Sequence, residues 1–343
     1  MDELSGEASP SHEGSPAHMD TKYASIAVGK VDKMDWKAEL IQIAQNPQGT
    51  RDARTASRLR FDEPMHKHTH FGIGGAATAY FEVGTVAQLS ALARLKAQCR
   101  VPISVIGRGS NLLVSDTGYS GVVVRLIGEF DRLEFDGERV WAGAGVSLPR
   151  LSKTAARQGL SGVEFALGIP GAVGGGLIMN AGAWGSSFGD SVEGVQVMTD
   201  EGELVELSHA EAGFGYRHSG LGAYFCITGA SLRLTSGDVK TITDSMNELY
   251  KRKTESQPFT EENAGCIFKN PSGDSAGRLI DVCGLKGTGI GGAEVSKIHG
   301  NFILNVGNAT ATDVLDLVRH IQEYVKAETG IELEMEVKTL GFE

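Results

Sequence analysis

A thiol, an amine, an amide and a guanidinium stand among glycines within residues 265–280, as Cys266, Lys269, Asn270 and Arg278. That mix suits a polar site rather than a core, and Cys266 is its reactive-looking member. A second candidate is Arg217, in the glycine-hinged run Gly213-Phe214-Gly215-Tyr216-Arg217-His218-Ser219. Its planar guanidinium suits bidentate carboxylate recognition, although a surface arginine in a loop fits the same run. A third is Glu336, in Leu333-Glu334-Met335-Glu336-Val337. On a strand Glu334 and Glu336 point the same way, either into a site or into solvent.

Glycine supplies the rest of the signal. The chain holds 46 glycines in 343 residues, about 13% against a usual ~7%. They cluster without a collagen-like period, which lets backbone approach a ligand closely or turn tightly. Gly107-Arg108-Gly109-Ser110-Asn111 follows a predicted strand, and its small residues and amides form a plausible anion nest for a pyrophosphate. Gly168-Ile169-Pro170-Gly171-Ala172-Val173-Gly174-Gly175-Gly176 has almost no side chains, so any function resides in its backbone. A flat cofactor ring or a diphosphate would pack there, with Met179 to Trp184 adding an amide and an aromatic to the wall.

The bulk properties exclude other classes. A net charge of −11 argues against nucleic acid as partner, since phosphate backbones need a basic field. No run approaches the ~18 apolar residues of a membrane span, and the N-terminus lacks a secretory pattern. Cys99, Cys226, Cys266 and Cys283 form no CxxC or zinc spacing, so they read as reduced thiols of a cytosolic protein. His66, His68 and His70 alternate and would share one face of a strand, but nothing nearby completes a metal shell. No metal is expected.

These residues need elements to position them. Residues 1–34 read as a disordered tail, within which Met19 and Met34 are alternative starts. Asp35 N-caps a helix to residue 44. Strands are predicted at 79–83, 103–106, 122–126, 140–142, 192–199, 204–207, 225–234 and 331–340. Helices are predicted at 86–98, 148–158, 239–253 and 311–329. The strand after Gly72-Ile73-Gly74-Gly75 rules out a Rossmann fingerprint, which requires a helix there. The pattern is α+β.

Taken in order, His68–Gly75, Gly107–Asp116, Gly168–Gly185, Phe214–Ser219, Ala264–Ile280, Ile290–Ser296 and Glu334–Gly341 resemble the UDP-N-acetylenolpyruvoylglucosamine reductase family over residues 60–343. The resemblance implies a two-domain FAD-binding unit of the vanillyl-alcohol-oxidase type plus a C-terminal α+β substrate domain. Its expected bounds are 35–114 and 115–237 for flavin, 238–331 for substrate, and 332–343 for a strand carrying the glutamate. It implies FAD and NADPH as cofactors and UDP-N-acetylglucosamine enolpyruvate as substrate, in a cytoplasmic enzyme expected to be a monomer.

By matching motif, the resemblance makes Arg217, Cys266 and Glu336 catalytic, with Cys266 the proton donor. It puts the flavin on Ile73, Gly74, Gly75, Gly107 to Asn111, Gly168, Ile169, Pro170, Gly171, Gly174, Gly175, Asn180, Ala181 and Gly182. Tyr216 and Asn270 are implied at the substrate, and Lys253 and His299 join them on charge and position. Many relatives carry Ser where this chain has Cys266. A thiol of pKa about 8.5 is the stronger acid, so activity is expected to fall at higher pH and to be sensitive to alkylation. Met335 and Lys338 replace a Pro and an Arg of the family's terminal motif. The short span from Arg217 to Cys266 places the chain in a class lacking an extra substrate loop. Two other readings stay open: another oxidoreductase of the same flavin fold, and a non-catalytic flavin- or nucleotide-binding module. The 266–280 block weighs against the first, and Arg217, Cys266 and Glu336 together weigh against the second.

Overall fold

The computed structural model describes residues 35–45 and 57–342. The expected tail, residues 1–34, lies outside the described residues. Asp35 caps the helix Trp36–Gln45 by accepting from Lys37 N at 3.0 Å. A four-stranded sheet follows in the order Arg58–Pro64, Ala76–Val83, Tyr119–Leu126, Ile103–Ile106. Its last three strands are parallel, joined by the helix Val86–Cys99, which Thr85 caps through Gln88 N. Alternation sorts that sheet's two faces. Ala79, Phe81, Val122 and Val124 enter the main core, while Tyr80 and Val123 enter a small cluster with Met65 and Val114, which Ala77 joins from beyond a register shift.

A second, antiparallel sheet runs Leu204–Ser208, Val192–Met198, Cys226–Arg233, Arg139–Gly143, Leu133–Asp136. Both sheets feed one continuous core that reaches from Leu40 to Leu234. The long helix Val239–Ser256 lays Ile242 and Met246 against Ala156 and Leu167, so it packs on the flavin half of the chain. A separate core gathers residues 264–337 around the helix Ala311–Thr329 and the sheet Gly289–Ile290, Ala293–Val295, Ile303–Asn305. Phe71, Ile73 and Leu113 cross over to join it.

Two predictions needed correction. The run 331–340 is a strand only over Lys338–Leu340, where it pairs in parallel with Leu112–Val114. The preceding residues make a single bridge, Phe268 to Met335. Glu334 and Glu336 consequently meet different surroundings, their side chains being 72% and 15% exposed. The three histidines are not on a strand either. Met65–His68 is a 3-10 turn, and His68 pairs with Glu63 at 2.9 Å and stacks on Tyr80.

Asp116 ties the two cores together. Its carboxylate accepts from Ala311 N at 2.7 Å and from Thr312 N and Oγ1 at 3.1 and 3.0 Å, at the start of the 19-residue helix. An acceptor there satisfies orphan amides and meets the positive end of the helix dipole. Asp116→Ala is expected to cost about 1–2 kcal/mol in urea unfolding, the usual worth of a lost cap. A loss under about 0.5 kcal/mol, the scale of ordinary surface changes, would show that water replaces the carboxylate freely.

Candidate active site

The candidate site is built by threading one short segment between two others. Ile267 N donates to Asn301 O at 2.9 Å, and Phe268 N donates to Asn301 Oδ1 at 2.9 Å. Asn301 Nδ2 returns a bond to Phe268 O at 2.8 Å. On the opposite edge, Glu336 N donates to Ile267 O at 2.7 Å and Lys269 N to Glu334 O at 2.8 Å. These bonds fix Cys266 and Glu336 in register, although they stand 70 positions apart in sequence. Asn111 holds the far end, its Nδ2 donating to Glu336 O at 3.4 Å and its carbonyl accepting from Lys338 N at 3.2 Å.

Arg217 approaches from the flavin half. It sits at φ +53°, a left-handed conformation uncommon outside glycine. Its Nη2 donates to Gly182 O at 3.0 Å, and its Nε lies 3.1 Å from Glu336 Oε1. That Nε–H does not aim at the carboxylate and has no hydrogen-bond partner. The contact is therefore one of charge, which leaves donor capacity for a third group. A buried polar atom without a partner is costly, and it is retained most readily where a ligand completes it.

Burial and charge tune the cluster. Burial, and then the Glu336 charge, push the Cys266 thiol up to about 11, against the smaller pull of Lys253 and Arg217. Burial also raises Glu336, opposed by Arg217. Burial lowers Lys253, and Arg217 lowers it further. Cys266 is thus favoured as a neutral proton carrier, and loss of activity through its ionisation is expected above the ordinary thiol range rather than within it.

All three side chains line one cavity of about 1210 Å³, larger than the ~300–1,000 Å³ of single-ligand sites. Its wall includes Gly107, Arg108, Gly109, Ser110 and Asn111, then Gly168, Ile169, Pro170, Gly171, Gly174 and Gly175, then Ala181 and Gly182. A Cβ built on Gly175 meets no protein atom within 4 Å, so bare main chain faces the space. Gly109 is glycine for a different reason. At φ +67° its Cβ would stand 2.0 Å from His68 O. A cradle of backbone amides and open glycine faces fits a flat dinucleotide cofactor such as FAD.

Four expected contacts are elsewhere. Ile73 is buried in the C-terminal core, and Gly74 and Gly75 are wedged against Val114 and Asp116, so none of the three lines the cavity. Asn180 spends its amide inside the fold, donating to Gly215 O at 3.0 Å and accepting from Gly189 N at 2.8 Å. Its part is to shape the cavity wall from behind.

Comparison with known proteins agrees with this division. Residues 77–208 match an FAD binding domain, and residues 257–340 match the UDP-N-acetylenolpyruvoylglucosamine reductase C-terminal domain. A UDP-N-acetylenolpyruvoylglucosamine reductase 2 of Symbiobacterium thermophilum is 44% identical over 289 residues, covering 84% of this chain and 94% of that one. The chain belongs to the UDP-N-acetylenolpyruvoylglucosamine reductase family. The Bacillus subtilis reductase is 39% identical over 84% of this chain and 96% of its own. The crystal structure of the Thermus caldophilus reductase superposes with a TM-score of 0.71 at 41% identity, covering 83% of this chain and 98% of that one. The expected α+β fold, a flavin-binding unit followed by the reductase C-terminal domain, is borne out.

Within this reductase-family site, the expected substrate residues fall into three groups. Lys253 lines the cavity and lies across Gly168, and its side-chain nitrogen makes no ion pair or hydrogen bond among the described residues, which leaves it for an anionic ligand. Asn270 and His299 line the cavity while serving the fold: Asn270 Oδ1 accepts from Ala276 N, and His299 Nδ1 accepts from Asn301 N. His299 therefore offers Nε2 as its free donor. Tyr216 is 59% exposed and reaches the site through its hydroxyl, which accepts from Asn270 N at 3.3 Å. Sequence reasoning missed Asn301, whose position beside His299 gave no sign that it grips Phe268. It also missed Lys286, which lines the cavity but is paired to Asp281; Arg278, singled out in the 265–280 run, lines it as well but is paired to Asp274.

Two outcomes follow from this geometry. Asn301→Ala is expected to cost about 2–3 kcal/mol in urea unfolding, because it orphans a buried N–H and C=O of Phe268. Iodoacetamide at pH 8 should label Cys266 roughly 100-fold more slowly than an ordinary thiol, given how little thiolate it carries. Labelling at the rate of a free thiol would show that the pocket does not hold the proton.

Proposed function

We infer that the protein reduces UDP-N-acetylglucosamine enolpyruvate to UDP-N-acetylmuramate with NADPH through FAD, a step of peptidoglycan precursor synthesis. The observation that carries this reading is the convergence of a neutral thiol, a guanidinium and a carboxyl on one wall of a cavity whose other wall is bare backbone. Family membership supports the substrate, and the FAD binding domain supports the cofactor. No helix among the described residues is long and apolar enough to cross a membrane. Family membership supports a cytoplasmic enzyme, proposed to act as a monomer.

The substrate carries an alkene conjugated to a carboxylate. FAD held against the backbone of Gly107 to Asn111 and Gly168 to Gly175 would supply a hydride, drawn from NADPH, from its N5 to the terminal carbon, C3. Negative charge then spreads from C2 onto the substrate carboxylate. Arg217 is placed to receive that charge, with its Nε donor unused and its Nη2 anchored on Gly182 O. Glu336 contributes by holding Arg217 in place through their contact at 3.1 Å, with burial raising its pKa and the Arg217 charge lowering it. Cys266 delivers the proton to C2 and is left as a thiolate, which Lys253 and Arg217 stabilise before it is reprotonated from solvent. Hydride and proton together complete the reduction, and no charge is left on the product beyond that of the substrate.

An anaerobic titration in two steps tests the reading. NADPH should bleach the flavin band of the purified protein, and UDP-N-acetylglucosamine enolpyruvate should restore it rapidly. Arg217→Ala and Glu336→Ala should each retain flavin yet slow the restoring step about 100–1000-fold, the usual loss for one charge-stabilising group. Bleaching without return would remove the proposed substrate. A colourless protein that takes up no FAD would sink the whole reading.

A further inference from the structure

Arg217 reaches the cavity from a tight turn, in which His218 N donates to Gly215 O at 3.3 Å and Gly215 N to His218 O at 3.0 Å. It occupies the third position of that turn with positive φ, where glycine is the usual choice. Behind the turn lies the end of the helix Val173–Ile178. Ala181 N donates to Gly176 O at 2.7 Å and Asn180 N to Leu177 O at 3.2 Å, the bond pair that closes a helix on a left-handed residue. That residue is Asn180, at φ +39°. Glycine is favoured there too, and this chain places glycine all around it, at Gly174, Gly175, Gly176 and Gly182. An asparagine adds what glycine lacks, a side-chain amide. Its Nδ2 donates to Gly215 O at 3.0 Å and its Oδ1 accepts from Gly189 N at 2.8 Å, although the residue is only 8% exposed. Ser219, equally buried, ties down the other side of the turn, its Oγ donating to Ile178 O at 3.0 Å. Arg217 completes the set through Nη2 to Gly182 O.

These bonds act against a competing one. Glu336 Oε1 stands 3.1 Å from Arg217 Nε, yet the Nε–H is not aimed at it and has no partner. A guanidinium free to rotate would close that gap into a charge-assisted hydrogen bond, one of the stronger kinds. We propose that Asn180 and Ser219 are positioning residues, which hold the Arg217 turn against the 178–182 segment and keep the guanidinium offset from Glu336, its Nε donor open to the substrate carboxylate. Of the six non-glycine residues with positive φ among the described residues, Asn180, Trp184 and Arg217 belong to these two neighbouring stretches of chain. Strained backbone persists where the surrounding structure over-determines it, and it gathers at functional sites. The role rests on Arg217 meeting that carboxylate, as inferred above, and it adds the two residues that aim it.

Two variants of the flavin-loaded enzyme each remove one of these bonds. Asn180→Asp keeps the side chain's size and its acceptor for Gly189 N, and loses only the donor to Gly215 O. Ser219→Ala loses the donor to Ile178 O, and Ser219→Thr restores a hydroxyl. After reduction with dithionite, reoxidation by saturating UDP-N-acetylglucosamine enolpyruvate should slow about 10- to 100-fold in the first two, the scale on which misplacing a group costs rate. It should recover in Ser219→Thr. In an Arg217→Ala background the same two changes should add less than about twofold, because no guanidinium is left to aim. Ser219→Ala carries the test alone if the aspartate variant loses its flavin. A second readout needs no substrate: the Nε–H resonance of Arg217 in protein labelled with 15N-arginine, assigned by its absence from Arg217→Ala. It should shift in Asn180→Asp and Ser219→Ala as the guanidinium closes on Glu336, and stay in place in Ser219→Thr. A shifted resonance in an enzyme whose wild type is not reoxidised keeps the positioning and removes the substrate reading. An unmoved resonance overturns the proposal. So does reoxidation of the variants at the wild-type rate, or an equal loss in the Arg217→Ala background, which would place the effect elsewhere in the fold.

Discussion

Everything at the site depends on the short ladder that clamps Ile267 to Lys269 between Asn301 and the 334–336 segment. A thiol acid works only if it is close to the carbon it protonates and is not ionised beforehand. The ladder meets both needs. It presents Cys266 to the cavity beside Glu336, and it buries the thiol well enough to keep it neutral. The carboxyl that helps keep the thiol protonated also attracts Arg217 across from the flavin half. Thus one arrangement sets the acidity of the proposed donor and the position of the cation proposed to stabilise developing charge.

The division of labour between the two cores follows from the same constraint. The flavin half supplies bare backbone together with Arg217 and Lys253, and the C-terminal half supplies Cys266 and Glu336. Glycine-rich loops leave main chain bare, and they are affordable because the sheets and helices behind them bury a continuous core from Leu40 to Leu234. The C-terminal core is smaller and is stitched back through Leu113, through the strand Lys338–Leu340 and through Asp116. Those links keep Glu336 opposite Arg217.

Much of this was legible in the sequence, for reasons that can be stated. The helix Ala311–Thr329 has a capping Thr310, an apolar stripe and a terminal Gly330, so its bounds are local properties. The strand after Gly75 and the cavity-facing glycines at 168–175 were also readable, because a run without side chains has few other uses. What escaped was tertiary. Alternation in 331–337 looked like a strand, but the segment is held by single bonds to Ile267 and Lys269 and pairs regularly only from Lys338. Gly74, Gly75 and Asn180 have the right residue types for a cofactor wall, yet their contacts are spent inside the fold. Asn301 had no pattern at all. Its importance exists only because residue 268 passes next to it.

The central claim is that Cys266 supplies the proton. Single-turnover reoxidation of the NADPH-reduced enzyme by UDP-N-acetylglucosamine enolpyruvate tests it directly in Cys266→Ala and Cys266→Ser. The account predicts unchanged reduction by NADPH in both variants, reoxidation slowed about 100-fold or more in the alanine variant, and substantial recovery with serine, whose hydroxyl also carries a proton. Reoxidation at the wild-type rate in Cys266→Ala would contradict it.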